Sequence, residues 1–145
     1  MEDKQTRHRQ LFRRLRCVDR LHRSRIESEL RHPGIHRSQH MVLMRVARQD
    51  HPCSQAELAR QMEISAPAMA ANIQRLEEAG YIERTADPGD KRYNRIGLTD
   101  KGRQLAEESS RVFENVDDDL FRGFSAAELD QLTRYLERMQ KNLQG

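Results

Sequence analysis

The fold is decided by residues 54–102, SQAELARQMEISAPAMAANIQRLEEAGYIERTADPGDKRYNRIGLTDKG. Ser54-Gln55-Ala56-Glu57 has the form of a capping box. A serine hydroxyl there accepts a backbone N–H three residues on, and the glutamate reaches back. The helix it opens is short, ending near Met62, and Glu63-Ile64-Ser65 makes a tight connection. Ser65 is placed to cap the next helix, with Pro67 in its first turn, where a missing N–H costs nothing. Met69, Ile73 and Leu76 fall on one face of that helix, and Gly80 follows as its C′ residue. Two extended segments come next, residues 81–85 and 93–98, with Ile96 and Leu98 on one side. Between them Ala86-Asp87-Pro88-Gly89-Asp90-Lys91-Arg92 is turn chemistry, which predicts a β-hairpin with a longer loop. Thr99 is then a cap for a helix running to about Arg122.

Short helix, tight turn, capped helix and basic hairpin, in that order, describe a winged helix-turn-helix. The second helix of such a pair lies in the major groove, with its N-terminal residues near base edges. A basic hairpin beside it suits the phosphate backbone, which supplies most of the affinity. The candidate contacts are Ser54, Gln55, Ser65, Ala66, Pro67, Ala70, Ala71, Gln74, Arg75, Arg84, Asp90, Lys91 and Arg92. Arg95 is a weaker candidate for phosphate. Ser54 and Gln55 stand at a helix N-terminus, where free N–H groups favour a phosphate; capping alone explains them equally well. The recognition helix is poor in polar groups. Ala66, Ala68, Ala70 and Ala71 offer a methyl to thymine but no hydrogen bond. Bidentate base contacts are left to Asn72, Gln74 or Arg75, and groove shape is expected to contribute to specificity. The bland alternatives are that alanine merely favours helix, and that a charged hairpin tip only aids solubility.

Residues 54–102 resemble the DNA-binding core of the MarR family of repressors. The resemblance rests on Glu57-Leu58-Ala59, Ile73, Arg75-Leu76-Glu77, Gly80-Tyr81-Ile82-Glu83-Arg84, Asp87-Pro88-Gly89-Asp90-Lys91-Arg92 and Leu98-Thr99-Asp100-Lys101-Gly102. It implies a homodimer with interlocked first and last helices. It also implies a wing arginine, at Arg92, in the minor groove, with Asp90 as the acidic partner that holds the wing. The recognition helix, residues 65–75, would enter the major groove. Many members of the family release DNA when a small compound, an oxidant or a metal acts between the two regions.

The flanks read as helix. Residues from about Lys4 to Leu30 form one long helix, with Leu11, Leu15, Val18 and Leu21 at helical spacing, and Pro33-Gly34 stops it. Ser38 is placed to cap the next helix, in which Met41, Val42, Met44 and Val46 supply apolar contacts before Asp50-His51-Pro52. In the fifth helix Val112, Val116 and Leu120 stack. Ser125-Ala126-Ala127-Glu128 is a second capping box. The helix it opens carries Leu129, Leu132, Leu136, Met139 and Leu143, an apolar heptad stripe. Such a stripe is either a face buried within the chain or a seam between subunits. Of 145 residues only 36% are hydrophobic and 34% are charged, which gives a single chain a thin core and favours the seam. The expected fold is therefore mainly α with a small β-hairpin wing. Residues 38–104 form the winged helix-turn-helix, and residues 1–37 and 105–145 a helical dimerisation region built on Leu11, Leu15, Leu129, Leu132, Leu136 and Met139.

The net charge is +3, with arginines and five of six histidines crowded into the first forty residues and Asp117-Asp118-Asp119 near the other end. That asymmetry suits either a polyanion-facing surface or a solvated helix. Cys17 and Cys53 are the only cysteines, with no CxxC and no secretory leader, so a reducing, cytoplasmic setting is expected. No apolar run approaches a membrane span. No nucleophile elbow, phosphate loop or HExxH motif supports an enzyme, and no cofactor is implied. The expected partners are double-stranded DNA bearing an inverted repeat, a second copy of the chain, and a small-molecule effector held between the first, second and fifth helices. Two other signals stay open. Cys17 lies between Arg16 and Arg20, which would favour a reactive thiolate. His32, His36 and His40 recur every fourth residue, where two could join a carboxylate around zinc, although surface histidines are the commoner outcome. A protein-interaction adaptor is the rival to a DNA-binding regulator.

Overall fold

A computed structural model describes every residue except Glu2 and Pro88; the side chains of Asp87 and of residues 90–94 also fall outside the description. The elements run α1 (Lys4–Leu30), α2 (Arg37–Ala47), β1 (Cys53–Ser54), α3 (Gln55–Met62), α4 (Ala66–Glu78), β2 (Ile82–Asp87), β3 (Asp90–Leu98), α5 (Asp100–Leu120) and α6 (Ala126–Gln144).

Two apolar clusters organise these elements. The larger joins Val42, Leu43 and Val46 of α2 to Leu58 of α3, Met69, Ile73 and Leu76 of α4, and Ile82, Ile96 and Leu105. The smaller joins Ile26 and Leu30 of α1 to Met44, Phe113 and Val116. Helix α2 therefore stands between the winged lobe and the long helices, giving Met44 to one cluster and its other apolar residues to the other. Met41, expected as a core contact, is exposed, and Leu43 takes that role. Leu120 is likewise exposed, because α5 turns Phe113 and Val116 inward instead.

The sheet is larger than the sequence suggests. Its antiparallel order is β1-β3-β2, with Cys53 opposite Ile96 and Ile82 opposite Leu98. The hairpin strands run into the expected loop, pairing Ala86 with Asn94 and Asp87 with Asp90 across an irregularity in register. Strand β1 is two residues long, too short for a periodic signal.

Most caps fall where the sequence places them. Ser54, Ser65, Thr99 and Ser125 accept N–H groups from Glu57, Ala68, Gly102 and Glu128. Ser38 is a correction. The chain enters α2 at His36, whose backbone N–H donates to Gln39 Oε1 at 2.7 Å, so Ser38 already lies inside the helix.

The Leu98-Thr99-Asp100-Lys101-Gly102 segment is a junction between wing and α5. Thr99 Oγ1 accepts the Gly102 N–H at 3.0 Å and donates to the Gly80 carbonyl at 2.6 Å. The Thr99 N–H donates to the Tyr81 carbonyl at 3.2 Å. Lys101 Nζ donates to the Ala79 carbonyl at 2.7 Å and lies over the Tyr81 ring. A Cβ at position 102 would come within 1.9 Å of the Tyr81 carbonyl oxygen, so only glycine lets the first turn of α5 meet the end of the recognition-helix turn. Gly102→Ala is expected to lower stability by at least about 2 kcal/mol through overpacking, read from the denaturation midpoint.

His40 is fully buried on α2. Its Nδ1 meets Ser109 Oγ of α5 at 2.9 Å, and its Nε2 is buried with no partner among the described residues. Burial, reinforced by the neighbouring His32, pulls its pKa down to about 4. An unfolded histidine takes its proton near 6.5. As pH falls from about 6.5 to about 4, the unfolded chain gains a proton the folded chain refuses, and stability is lost. The stabilisation is complete above that window. The loss is expected to reach about 3 kcal/mol, and His40→Gln is expected to flatten the slope of unfolding free energy against pH across it.

Candidate nucleic-acid interface

Helix α4 buries Met69, Ile73 and Leu76 and turns Ser65, Ala66, Pro67, Ala71, Gln74 and Arg75 outward; Ala70 is half-buried. Residues 66, 70 and 74 lie one turn apart, so one stripe of the helix faces away from the core. Glu63 takes a left-handed conformation, φ +54°, as the helix-turn-helix reverses direction.

The polar side chains of this helix have distinct partners. Asn72 is a correction: it is buried, and its Oδ1 accepts Gln39 Nε2 at 2.6 Å, so it cannot reach a base. Gln39 thereby bridges the entry of α2 and the middle of α4. Arg75 is exposed, but its Nη1 donates to the Gly34 carbonyl at 2.8 Å. Ser65 Oγ is engaged with the Ala68 N–H at 3.2 Å. Gln74 Nε2 donates to Glu78 Oε1 at 3.1 Å across the exposed surface.

Around the helix the predicted contacts divide. Ser54 is another correction, being 4% exposed, with its hydroxyl taken by the Glu57 N–H. It starts α3 and does not face solvent, whereas Gln55 is half-exposed. Arg84 on β2 pairs with Glu77 of α4 at 3.1 Å, which ties the wing to the recognition helix. Arg95 Nη1 donates to the Pro52 carbonyl at 3.1 Å. The side chains of Asp90, Lys91 and Arg92 lie outside the described residues.

The sensing candidates also separate. Cys17 is half-exposed, with the Arg20 guanidinium 3.5 Å from its sulfur. Cys53 is buried, and burial pushes its thiol pKa up. The rings of His32 and His40 meet edge to face at 6.1 Å between centroids, but their polar partners differ: His32 meets Glu108 at 3.2 Å, His36 meets Glu27 at 3.4 Å, and His40 meets Ser109. Among the described residues no three metal-binding side chains come together. His40 is also no surface histidine. A cavity of about 230 Å³ between α2, α3 and α5 is lined by Met41, Met44, Met62 and Phe113 with Arg45 and Arg48. Helix α1, expected as one of its walls, contributes nothing to it. A groove of about 630 Å³ runs between the end of α2, β3 and α5. No helix among the described residues is long and apolar enough to cross a membrane.

A helix-turn-helix followed by a paired hairpin, with the second helix exposed along one stripe, defines a winged helix-turn-helix. The MarR family model matches residues 34–92. The structure is similar to that of the transcriptional regulator SlyA, at 29% identity and TM-score 0.80 over 92% of this chain and 93% of that one. It is similar to MarR at 29% identity and TM-score 0.69, over 92% and 96%. It shares its fold with S. aureus MepR, solved in complex with DNA, at 24% identity and TM-score 0.80 over 89% and 93%. The chain is thus similar in fold to MarR-family winged-helix transcriptional regulators, and the match to the family model covers its helix-turn-helix and wing.

The Gln39–Asn72 bond tests how the recognition helix is held. Asn72→Ala leaves the Gln39 amide buried without its acceptor and is expected to cost about 1–3 kcal/mol. The loss is read by denaturant unfolding.

Proposed function

We propose that the chain is a homodimeric repressor that binds an inverted-repeat operator and is released by a small molecule. The observation that carries this reading is the outward stripe of α4 beside a hairpin whose sequence, Asp90-Lys91-Arg92, supplies cations at its tip. A helix in the major groove and a basic arm reaching the neighbouring minor groove or backbone use those two features together. The DNA-bound relative MepR has the same fold, which supports the assignment. Ser65, Ala66, Pro67, Ala70, Ala71, Gln74 and Arg75 would face the major groove, while Gln55, Arg84, Lys91 and Arg92 would serve phosphates or the minor groove, and Asp90 would shape the wing.

Dimerisation is supported by what the single chain leaves uncovered. Leu11, Leu15, Val18 and Leu21 of α1, and Leu136, Met139 and Leu143 of α6, are exposed, with Leu129 and Leu132 half-buried. These are the two stripes assigned to a subunit seam, residues 1–37 and 105–145. The methionine-lined cavity beside α2 lies where the two apolar clusters meet, a position from which a small ligand could alter the angle between lobes. An adaptor role explains neither the cationic wing sequence nor a recognition helix whose first two turns expose only serine, alanine and proline.

The test is duplex binding by fluorescence anisotropy. Affinity is expected to fall about 10³-fold or more between 50 and 200 mM salt, as for a protein making six or more phosphate contacts. Arg92→Ala is expected to weaken binding at least tenfold with unchanged unfolding, because the position is on a hairpin tip. Salt-independent binding, or an Arg92→Ala protein that binds as wild type does, contradicts the reading.

A further inference from the structure

We infer that Gln74 is the one side chain of the recognition helix that reads a base edge by hydrogen bonding, and that it selects an adenine in each half-site. The inference rests on the DNA-binding reading above and specifies what that site prefers.

Helix α4 has few groups able to read a base. Its sequence from Ala66 to Glu78 contains one cation, Arg75, and two amides, Asn72 and Gln74. Two of these three are committed to the fold. Asn72 is buried against Gln39 at 2.6 Å. Arg75 is drawn back toward the turn before α2 by its 2.8 Å bond to the Gly34 carbonyl. The bond is exposed to solvent, and it ties α4 to a turn 41 residues away. Gln74 alone is both exposed and only locally engaged. Its bond to Glu78, four residues on, is a surface pair of the kind worth a few tenths of a kcal/mol, and a base can displace it.

The chemistry then fixes the preference. An amide carries one donor and one acceptor side by side, which match N6–H and N7 of adenine in the major groove. Guanine offers two acceptors there and is read by a guanidinium or ammonium. With Arg75 held back, α4 has no free group for guanine. Gln74 lies two turns along the stripe that begins at Ala66, and the stripe position between them is Ala70. Alanine methyls tolerate a thymine methyl without specifying any other edge. A·T pairs are therefore favoured under the helix, with one adenine enforced by Gln74.

The experiment selects bound duplexes from a random pool with the full-length chain, its Gln74→Ala and Gln74→Arg variants, and Arg75→Ala. Residue 74 is solvent-exposed, so these variants keep the fold. The expected result is an adenine selected by wild type at one position per half-site. That preference falls about fivefold or more in Gln74→Ala and turns to guanine in Gln74→Arg, while Arg75→Ala leaves it in place. Identical preferences in wild type and both Gln74 variants overturn the inference. So does a guanine selected by wild type that vanishes in Arg75→Ala. A wild-type chain that retains no duplex overturns the DNA-binding reading itself, and this inference with it.

Discussion

A helix of 19 residues with no buried side chain is the constraint on which this structure turns. Helix α6 begins with a complete capping box and carries an apolar stripe along its length, yet the described residues of its own chain leave Leu136, Met139 and Leu143 exposed and only half-bury Leu129 and Leu132. Helices in proteins owe most of their stability to packing an amphipathic face, and few sequences of this length hold a helix in water without it. The first two-thirds of α1 has the same character: Leu11, Phe12, Leu15, Val18 and Leu21 all face solvent. In the dimer proposed above, these two stripes at opposite ends of the chain would cover each other. The winged lobes would then be held at a fixed separation, which a recognition helix needs if it is to meet two half-sites on one face of a duplex.

Beside the smaller apolar cluster, polar contacts also join α2 to α1 and α5. Arg37, the first residue of α2, donates to Asp19 Oδ1 at 2.8 Å and lies 3.1 Å from His22 Nδ1, both on α1. A guanidinium cannot accept, so His22 Nδ1 is the acceptor and its Nε2–H donates to Asp117 of α5 at 2.8 Å. The Arg37 guanidinium holds the Asp19 carboxyl below the usual carboxylate range. Arg37 is 15% exposed but Asp19 is 54% exposed, so solvent screens this pair and its role is to orient the helices more than to stabilise them. Arg25 adds a second tie to α5 through Asp119 at 2.9 Å. Three helices thus meet at one polar knot beside the smaller apolar cluster. Any change in the angle of α2 against α1 and α5 must strain or rearrange that knot.

The winged core was legible because its signals are local. Ser54, Ser65, Thr99 and Ser125 each stand immediately before a helix and accept the N–H of its third residue, and Met69, Ile73 and Leu76 repeat at the period of the helix they bury. Long-range facts were not legible. Nothing near Asn72 in the chain announces Gln39, and nothing near Arg75 announces the Gly34 carbonyl 41 residues away. Both were candidate base readers by type alone, and tertiary contacts removed one and restrained the other. His40 misled in the same way. Its regular spacing from His32 and His36 suggested a shared surface, whereas α2 turns it into the interior toward Ser109. Strand β1 is too short for alternation to appear, and the hairpin strands continue through residues whose types favour turns.

The mass of the purified full-length chain in solution, measured by light scattering at micromolar concentration and moderate salt, tests the central claim most directly. The account predicts twice the mass of one chain, and a loss of both that mass and helical circular dichroism when Leu132 and Leu136 are changed together to lysine. A particle of single-chain mass that keeps the full helix content of α1 and α6 would contradict it.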